Sequence, residues 1–176
     1  NYGIIDIELS SDEKAFINAI VVTQQTNKNI RINCGSKIDY IDWAGDVWTR
    51  DNITGGNILF SDRKIIQATP TLYDEKLYQT ARSGKKITYT IPAEDGIYSV
   101  YLKFADIWDK TRDRIMDIYI NGTLVKEDFN LTEFSDGLDM AVGLRFEGIV
   151  PVNGFISLKL ESVGKEPAIL QAIQID

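Results

Sequence analysis

The chain has 176 residues, which at roughly 150 residues per domain allows one domain with a short appendage and excludes a second full enzyme domain. Its 44% hydrophobic and 26% charged fractions exclude a collagenous, disordered or low-complexity chain, and 19 basic against 26 acidic residues leave a net charge of -7 that repels nucleic acid. Histidine is absent, which removes Ser-His-Asp and Cys-His catalysis, His-ligated zinc and the commonest general base; the single Cys34 has no intrachain disulfide partner.

The first 29 residues support two readings. Ser10 to Glu13 is a capping box that opens a helix carrying Phe16 and Ile20 on one face. Against it, Gly3 to Leu9 (GIIDIEL) repeats the apolar alternation of Gly154 to Leu160 (GFISLKL), and Ala15 to Val22 (AFINAIVV) that of Ala168 to Ile175 (AILQAIQI). On the second reading residues 1–24 are the terminal β-hairpin of a preceding copy of the same domain and 25–29 are a linker; a helix over 12–22 contradicts it. The longest apolar run in the chain, Ala15 to Val22, is interrupted by Asn18, so no membrane span is expected. The chain opens on Asn1, with neither Met nor a basic stretch before an apolar run, and is expected to be a segment of a longer protein.

From residue 30 onward period-2 patterning dominates. Lys86 to Ile91, Ile97 to Ala105, Arg114 to Ile120, Phe155 to Leu160 and Ile169 to Ile175 each alternate like a strand with one buried face. Turn chemistry separates them at Ala93 to Gly96, Asn121-Gly122, Asp136-Gly137 and Asn153-Gly154, with no room for intervening helices. The pattern predicts an all-β domain over 30–176, an antiparallel sandwich in which two sheets bury one face each.

Several residues carry candidate chemistry. Trp108 follows a strand and precedes Asp109 to Arg114 (DKTRDR), a solvated charge run, so it is expected on a loop. Tyr40 and Trp43, in the loop Lys37 to Asp46, form either an aromatic platform or a plug at one end of the sandwich. Asp39, Asp42 and Asp46 lie as closely as Ca²⁺ ligands do, but without the DxDxDG order and closing Glu; no metal or cofactor is expected. Carboxylate pairs such as Asp106 with Asp109, or Asp136 with Asp139, have the composition of a glycosidase site without a sign of a raised pKa, and no enzyme is expected. Gly55-Gly56 lacks the Lys-Ser/Thr of a phosphate cradle. Sequons at Asn52, Asn121 and Asn130 point toward the secretory pathway or the cell exterior.

Taken in order, Ile32 to Gly35 (INCG), Trp48 and Asp51 before Gly55-Gly56, Leu77 to Arg82 (LYQTAR), Ile91-Pro92, Gly96 to Asp106 (GIYSVYLKFAD), Asp117 to Gly122 (DIYING) and Pro167 to Ile175 (PAILQAIQI) resemble the malectin and malectin-like family. The resemblance implies a jelly-roll-like sandwich and a noncatalytic module. Some members bind glucose oligosaccharides through several loop-borne aromatics and an acid. Carried over residue by residue, the two adjacent aromatics of that site become Trp108 and Asp109, and the aromatic after the LYQTAR-like segment becomes Ser83. The acid before the late proline falls at Lys165 or Glu166, and the aromatic after the Gly-Gly loop at Asp62 or Arg63. Trp48, Asp51, Tyr78 and Arg82 are expected to be structural. These departures from the family pattern point either to a different glycan, including an acidic one, or to a protein-interaction or spacer domain like the malectin-like domains attached to receptor kinases and, in the cytoplasm, to kinesins. The repeat adds a tandem malectin-like neighbour as a partner.

Overall fold

A computed structural model describes residues 29–53, 55–66, 74–107, 113–135 and 137–176. The expected hairpin over 1–24 and nearly all of the linker lie outside the described residues, as do Trp108 and Asp109. In chain order the elements are β1 Ile30–Asn33, β2 Tyr40–Ile41, β3 Val47–Arg50, β4 Asn57–Phe60, a 3₁₀ turn Glu75–Tyr78, β5 Thr80–Gly84, β6 Lys86–Pro92, β7 Tyr98–Ala105, β8 Ile115–Ile120, β9 Thr123–Asn130, α1 Leu131–Phe134, β10 Ala141–Ile149, β11 Phe155–Ser162, β12 Ala168–Leu170 and β13 Ala172–Ile175.

The strands form a six-stranded sheet in the order β10-β7-β13-β1-β3-β2, a four-stranded sheet β6-β11-β8-β9 and a three-stranded sheet β12-β5-β4. The period-2 pattern decides what each strand buries. Val100, Leu102 and Phe104 of β7, Ile118 and Ile120 of β8, and Ile156, Leu158 and Leu160 of β11 meet in one core cluster shared by all three sheets. The result is the expected all-β, jelly-roll-like sandwich. A smaller apolar cluster joins Trp48, Ala105, Ala141 and Ala172 to Ile65, Leu77 and Tyr78, where the three alanines leave room for the 3₁₀ turn to pack on the six-stranded sheet.

Turn chemistry follows the sequence closely. Asn121-Gly122 and Asn153-Gly154 both place two successive residues at positive φ (50° and 80°, 52° and 79°), the conformation that lets a two-residue turn match strand twist.

Three expectations need correction. Ile169 to Ile175 is not one strand: it breaks at Gln171, with β12 in the three-stranded sheet and β13 in the six-stranded sheet. The cause is that Gln171 is fully buried and bonds out of line. Its N–H donates to Lys103 O (3.1 Å), its carbonyl accepts from Cys34 N–H (2.8 Å), and its Nε2 donates to Ala105 O. The chain thereby crosses between layers without an exposed loop.

The second correction is that the sandwich is not wholly antiparallel, because β1 and β3 pair in parallel, Ile32 opposite Thr49 and Asn33 opposite Arg50. Between them the chain runs out to the sheet edge as β2, part of what the sequence suggested was a continuous loop, and returns antiparallel to it as β3. This brings the ends of β1 and β3 side by side.

Third, Arg114 does not belong to a solvated charge run. It is 2% exposed, because the carboxylate of the fully buried Asp106 and the Pro167 carbonyl receive its guanidinium.

At the joined ends of β1 and β3 lies a buried ion pair. Arg82 Nε donates to Asp51 Oδ2 (2.9 Å), with side chains 6% and 0% exposed. The same oxygen accepts from Gly35 N–H (2.7 Å) and Tyr89 OH (3.0 Å), and Oδ1 accepts from Ile53 N–H (3.0 Å). Asp51→Ala leaves a guanidinium, a phenol and two amides without their acceptor. It is expected to destabilise the domain by roughly 3–5 kcal/mol, measured by denaturant unfolding. A loss below about 1 kcal/mol would show that the pair is not a structural centre.

Candidate functional site

Where β7 ends, four segments meet around the root of the segment 108–112. Arg114 Nε and Nη2 grip the two oxygens of Asp106 at 2.9 and 3.4 Å, and Nη1 reaches Pro167 O. The Asp106 carbonyl accepts from Asp139 N–H (3.0 Å). On one flank Arg63 pairs with the Asp139 carboxylate and donates through Nη1 to Ile107 O (3.3 Å). On the other, Lys165 Nζ lies 3.4 Å from Asp113 Oδ2, and Glu166 N–H donates to Asp113 O (3.4 Å). Side-chain exposure is 42% for Arg63 and 89% for Lys165, so both cations remain open to solvent, Arg63 beside Ile107 and Lys165 beside Asp113, the residues that flank 108–112.

Not every candidate joins this end. Arg63, Lys165 and Glu166 do, and Asp62 is exposed next to Arg63. Ser83 is 2% exposed inside β5, held between Asn57 and Ile169, and does not face a ligand there. Trp48 is 3% and Tyr78 6% exposed in the smaller apolar cluster, and Asp51 and Arg82 form the buried pair described above.

Sequence reasoning did not place Asp139 at this end. Its Oδ1 is buried without a hydrogen-bond partner beside the Arg63 pair, and its backbone takes φ 60°. Sequence singled out Asp139 only as a carboxylate near Asp136, and a left-handed φ at a non-glycine residue has no sequence signature that would have placed it here.

A second exposed feature lies on the β2–β3 hairpin. Ile41 and Val47 face each other across the strands and are 65% and 53% exposed, and Trp43 in the connecting turn is 69% exposed. The nearby carboxylates already have donors from the protein. Asp39 accepts from Arg50 N–H, Asp46 pairs with Arg31 at 2.9 Å, and Asp42 accepts from Trp48 Nε1 (2.9 Å) and from the Ala44 and Asp46 amides. Among the described residues no group of three His, Cys, Asp or Glu is arranged to hold a metal ion. Tyr40 OH and Trp43 N–H both donate to Asp74 Oδ1 (2.9 and 3.1 Å); burial, with this acceptor, pushes the Tyr40 phenol up to about 12.

Burial opposes ionisation of Asp42, but its three hydrogen bonds and the charge of Arg31 outweigh that and hold its carboxyl below the usual range. A carboxyl depressed on folding stabilises above its unfolded pKa, and that contribution disappears as pH falls through the folded value. Asp42→Ala is therefore expected to cost about 1–2 kcal/mol at pH 7, with the difference from wild type shrinking below about pH 4. Urea titrations at neutral and acid pH measure it; a gap that stays constant into acid would exclude the charged acceptor as its source.

A family model described as the malectin domain matches residues 28–171. Receptor-like protein 4 of Arabidopsis thaliana is 31% identical over 204 aligned positions, covering 98% of this chain and 31% of that protein. A probable leucine-rich repeat receptor-like serine/threonine-protein kinase of the same plant is 29% identical over 131, covering 69% of this chain and 13% of the kinase. The chain thus spans less than a third of the length of these relatives. Among solved structures, a Bacteroides uniformis beta-glucuronidase superposes with a TM-score of 0.73 at 23% identity over 84% of this chain and 18% of the enzyme. The ANX1 ectodomain from Arabidopsis thaliana gives 0.71 at 19% over 83% of this chain and 47% of the ectodomain. At these identities the two structures attest the shared fold alone.

Proposed function

Because the chain belongs to the malectin domain family, we propose that it is a noncatalytic glycan-binding module of a receptor-type ectodomain, displayed on the extracellular side. The observation that carries the reading is the convergence of Arg63, Asp139, Lys165 and Glu166 around the root of the segment bearing Trp108. A pyranose needs an aromatic face for its C–H side and planar polar groups for its hydroxyls. Trp108 would supply the face, Arg63 and Asp139 the polar groups. Arg63 and Lys165 are exposed but already paired with Asp139 and Asp113, so a glycan carboxylate would bind by exchanging with these carboxylates, which distinguishes this site from one built of several aromatics and a single acid. Stacking and a few hydrogen bonds on an open loop site correspond to dissociation constants of roughly micromolar to millimolar.

Titration calorimetry with neutral gluco-oligosaccharides and with uronate-containing oligosaccharides tests this. Binding is expected to favour the acidic ligands and to weaken roughly tenfold in Trp108→Ala and in Arg63→Met. Absence of binding at millimolar ligand, or binding unchanged in both variants, would sink the reading.

A second reading, a protein-interaction domain, is favoured by the exposed Ile41–Val47 pair and Trp43. Its discriminator is capture of a receptor partner that Ile41→Lys abolishes and Trp108→Ala leaves intact. Either role gains from a tandem neighbour through effective concentration, as the apolar match of residues 3–22 to 154–175 suggests. LYQTAR-like and GxYxVxLxFA-like segments upstream in the parent gene are the expected sign of that neighbour.

A further inference from the structure

The three sequons are equivalent in sequence and unequal in the fold. We infer that Asn52 bears an N-linked glycan in the folded protein, while Asn121 and Asn130 serve as structural amides. Asn52 is exposed on the turn between β3 and β4, directly after the anchored Asp51, and Thr54 completes its sequon in sequence. It lines an open cleft of about 770 Å³ between β1, β3 and β6 and is itself exposed, so a sugar attached there meets solvent and not packed backbone.

The other two amides are engaged. Asn121 Nδ2, the atom a glycan would occupy, donates to Val150 O at 2.9 Å, and its Oδ1 accepts from Ser157 N–H at 2.9 Å. The side chain ties the β8–β9 turn to the neighbouring hairpin. Asn130 is the N-cap of α1, its Oδ1 accepting from Glu133 N–H (3.3 Å), and the Thr132 of its sequon is 4% exposed with its hydroxyl buried.

The chemistry is transfer from a polyprenol-pyrophosphate-linked oligosaccharide. The Asn52 Nδ2–C1 bond forms, the C1–O bond to pyrophosphate breaks, the lipid pyrophosphate leaves, and one Nδ2 proton passes to a base of the transferase. A hydrated oligosaccharide is tolerated only where it points away from packed backbone, so a chain modified at Asn121 forfeits a hydrogen bond that the β8–β9 turn uses. A glycan at Asn52 would also stand over the β1–β3–β6 cleft, whose lining includes none of Arg63, Asp139, Lys165 and Glu166.

The inference rests on the extracellular reading above, and the test separates the two. The full chain is secreted from eukaryotic cells behind a heterologous signal peptide, which makes site choice independent of the native compartment. The cooperatively folding fraction is treated with peptide N-glycosidase in ¹⁸O-water and mapped by mass. Asn52 is expected to be occupied in most molecules, several-fold more than Asn121 or Asn130, and Asn52→Gln to remove most of the gel shift. An unmodified Asn52, or equal occupancy at either other sequon in folded protein, overturns the assignment. In glycan-free bacterial protein, Asn121→Gln and Asn130→Gln are expected to lower the melting temperature and Asn52→Gln to leave it unchanged. Any other order overturns it as well. A glycan-free protein isolated from its native source alongside Asn52 occupancy in the secreted chain would reject the compartment and leave the site assignment standing.

Discussion

The ion pair between Asp51 and Arg82 is the constraint around which the rest of the domain is organised. Four segments meet there: the turn after β1 through Gly35 N–H, the residue after β3 through Asp51 itself, β5 through Arg82 and β6 through Tyr89 OH. Arg82 extends the grip, donating through Nη1 to Gly55 O (3.1 Å) and through Nη2 to Ile53 O (3.2 Å), so the turn after β3 wraps the guanidinium. Isolated, either charge would be costly to bury; here every oxygen of Asp51 has donors, and the arrangement fixes geometry more than it adds net stability. Gly35 shows how tight the fit is. Its φ is +76°, and a β-carbon there would lie 2.2 Å from Ala81 O, so only glycine can bring its amide to Asp51.

From this centre a polar seam runs through the sandwich. Cys34 N–H, next to Gly35, donates to the Gln171 carbonyl, and Gln171 Nε2 donates to Ala105 O, one residue before Asp106. Asp106 then pairs with Arg114, whose guanidinium reaches Pro167 O just before β12. Two buried Asp–Arg pairs thus sit at the two ends of a hydrogen-bonded row that crosses the layer change at Gln171. In a chain with one cysteine these contacts do the registering that disulfides do in other sandwiches. Burial pushes the Cys34 thiol and the Tyr89 phenol well up, so neither ionises at physiological pH and the Tyr89 hydroxyl keeps the proton it donates to Asp51.

How much of this was legible varied with the physics. Alternation read from single residues located β6, β7, β8 and β11 to within two residues, because one-sided burial writes itself into sequence with period 2. The Asn-Gly turns were equally plain, since few residues accept two successive positive φ values. The parallel pairing of β1 and β3 and the break at Gln171 were not, because both are set by partners far along the chain. Arg114 looked solvated because its neighbours in sequence are charged; its partners Asp106 and Pro167 are neighbours in space. Of the candidate site, Arg63, Lys165 and Glu166 came together, whereas Ser83, a strand residue with packed neighbours on both sides, did not.

The seam also accounts for where the family likeness is carried in this chain. INCG, Trp48 with Asp51, Gly55-Gly56 and LYQTAR are dispersed over some fifty positions of sequence, yet Cys34, Gly35, Asp51, Gly55 and Arg82 belong to one constellation about the ion pair, with Trp48 on the adjoining sheet. What these motifs encode is the closure of the sandwich, and a ligand site built on loops beyond it is free to change. The same view bears on the terminal repeat. Residues 154–160 and 168–175 are β11, β12 and β13, which in this domain lie in three different sheets and do not pair with one another. The two segments that residues 3–9 and 15–22 resemble are therefore not a paired hairpin in this domain.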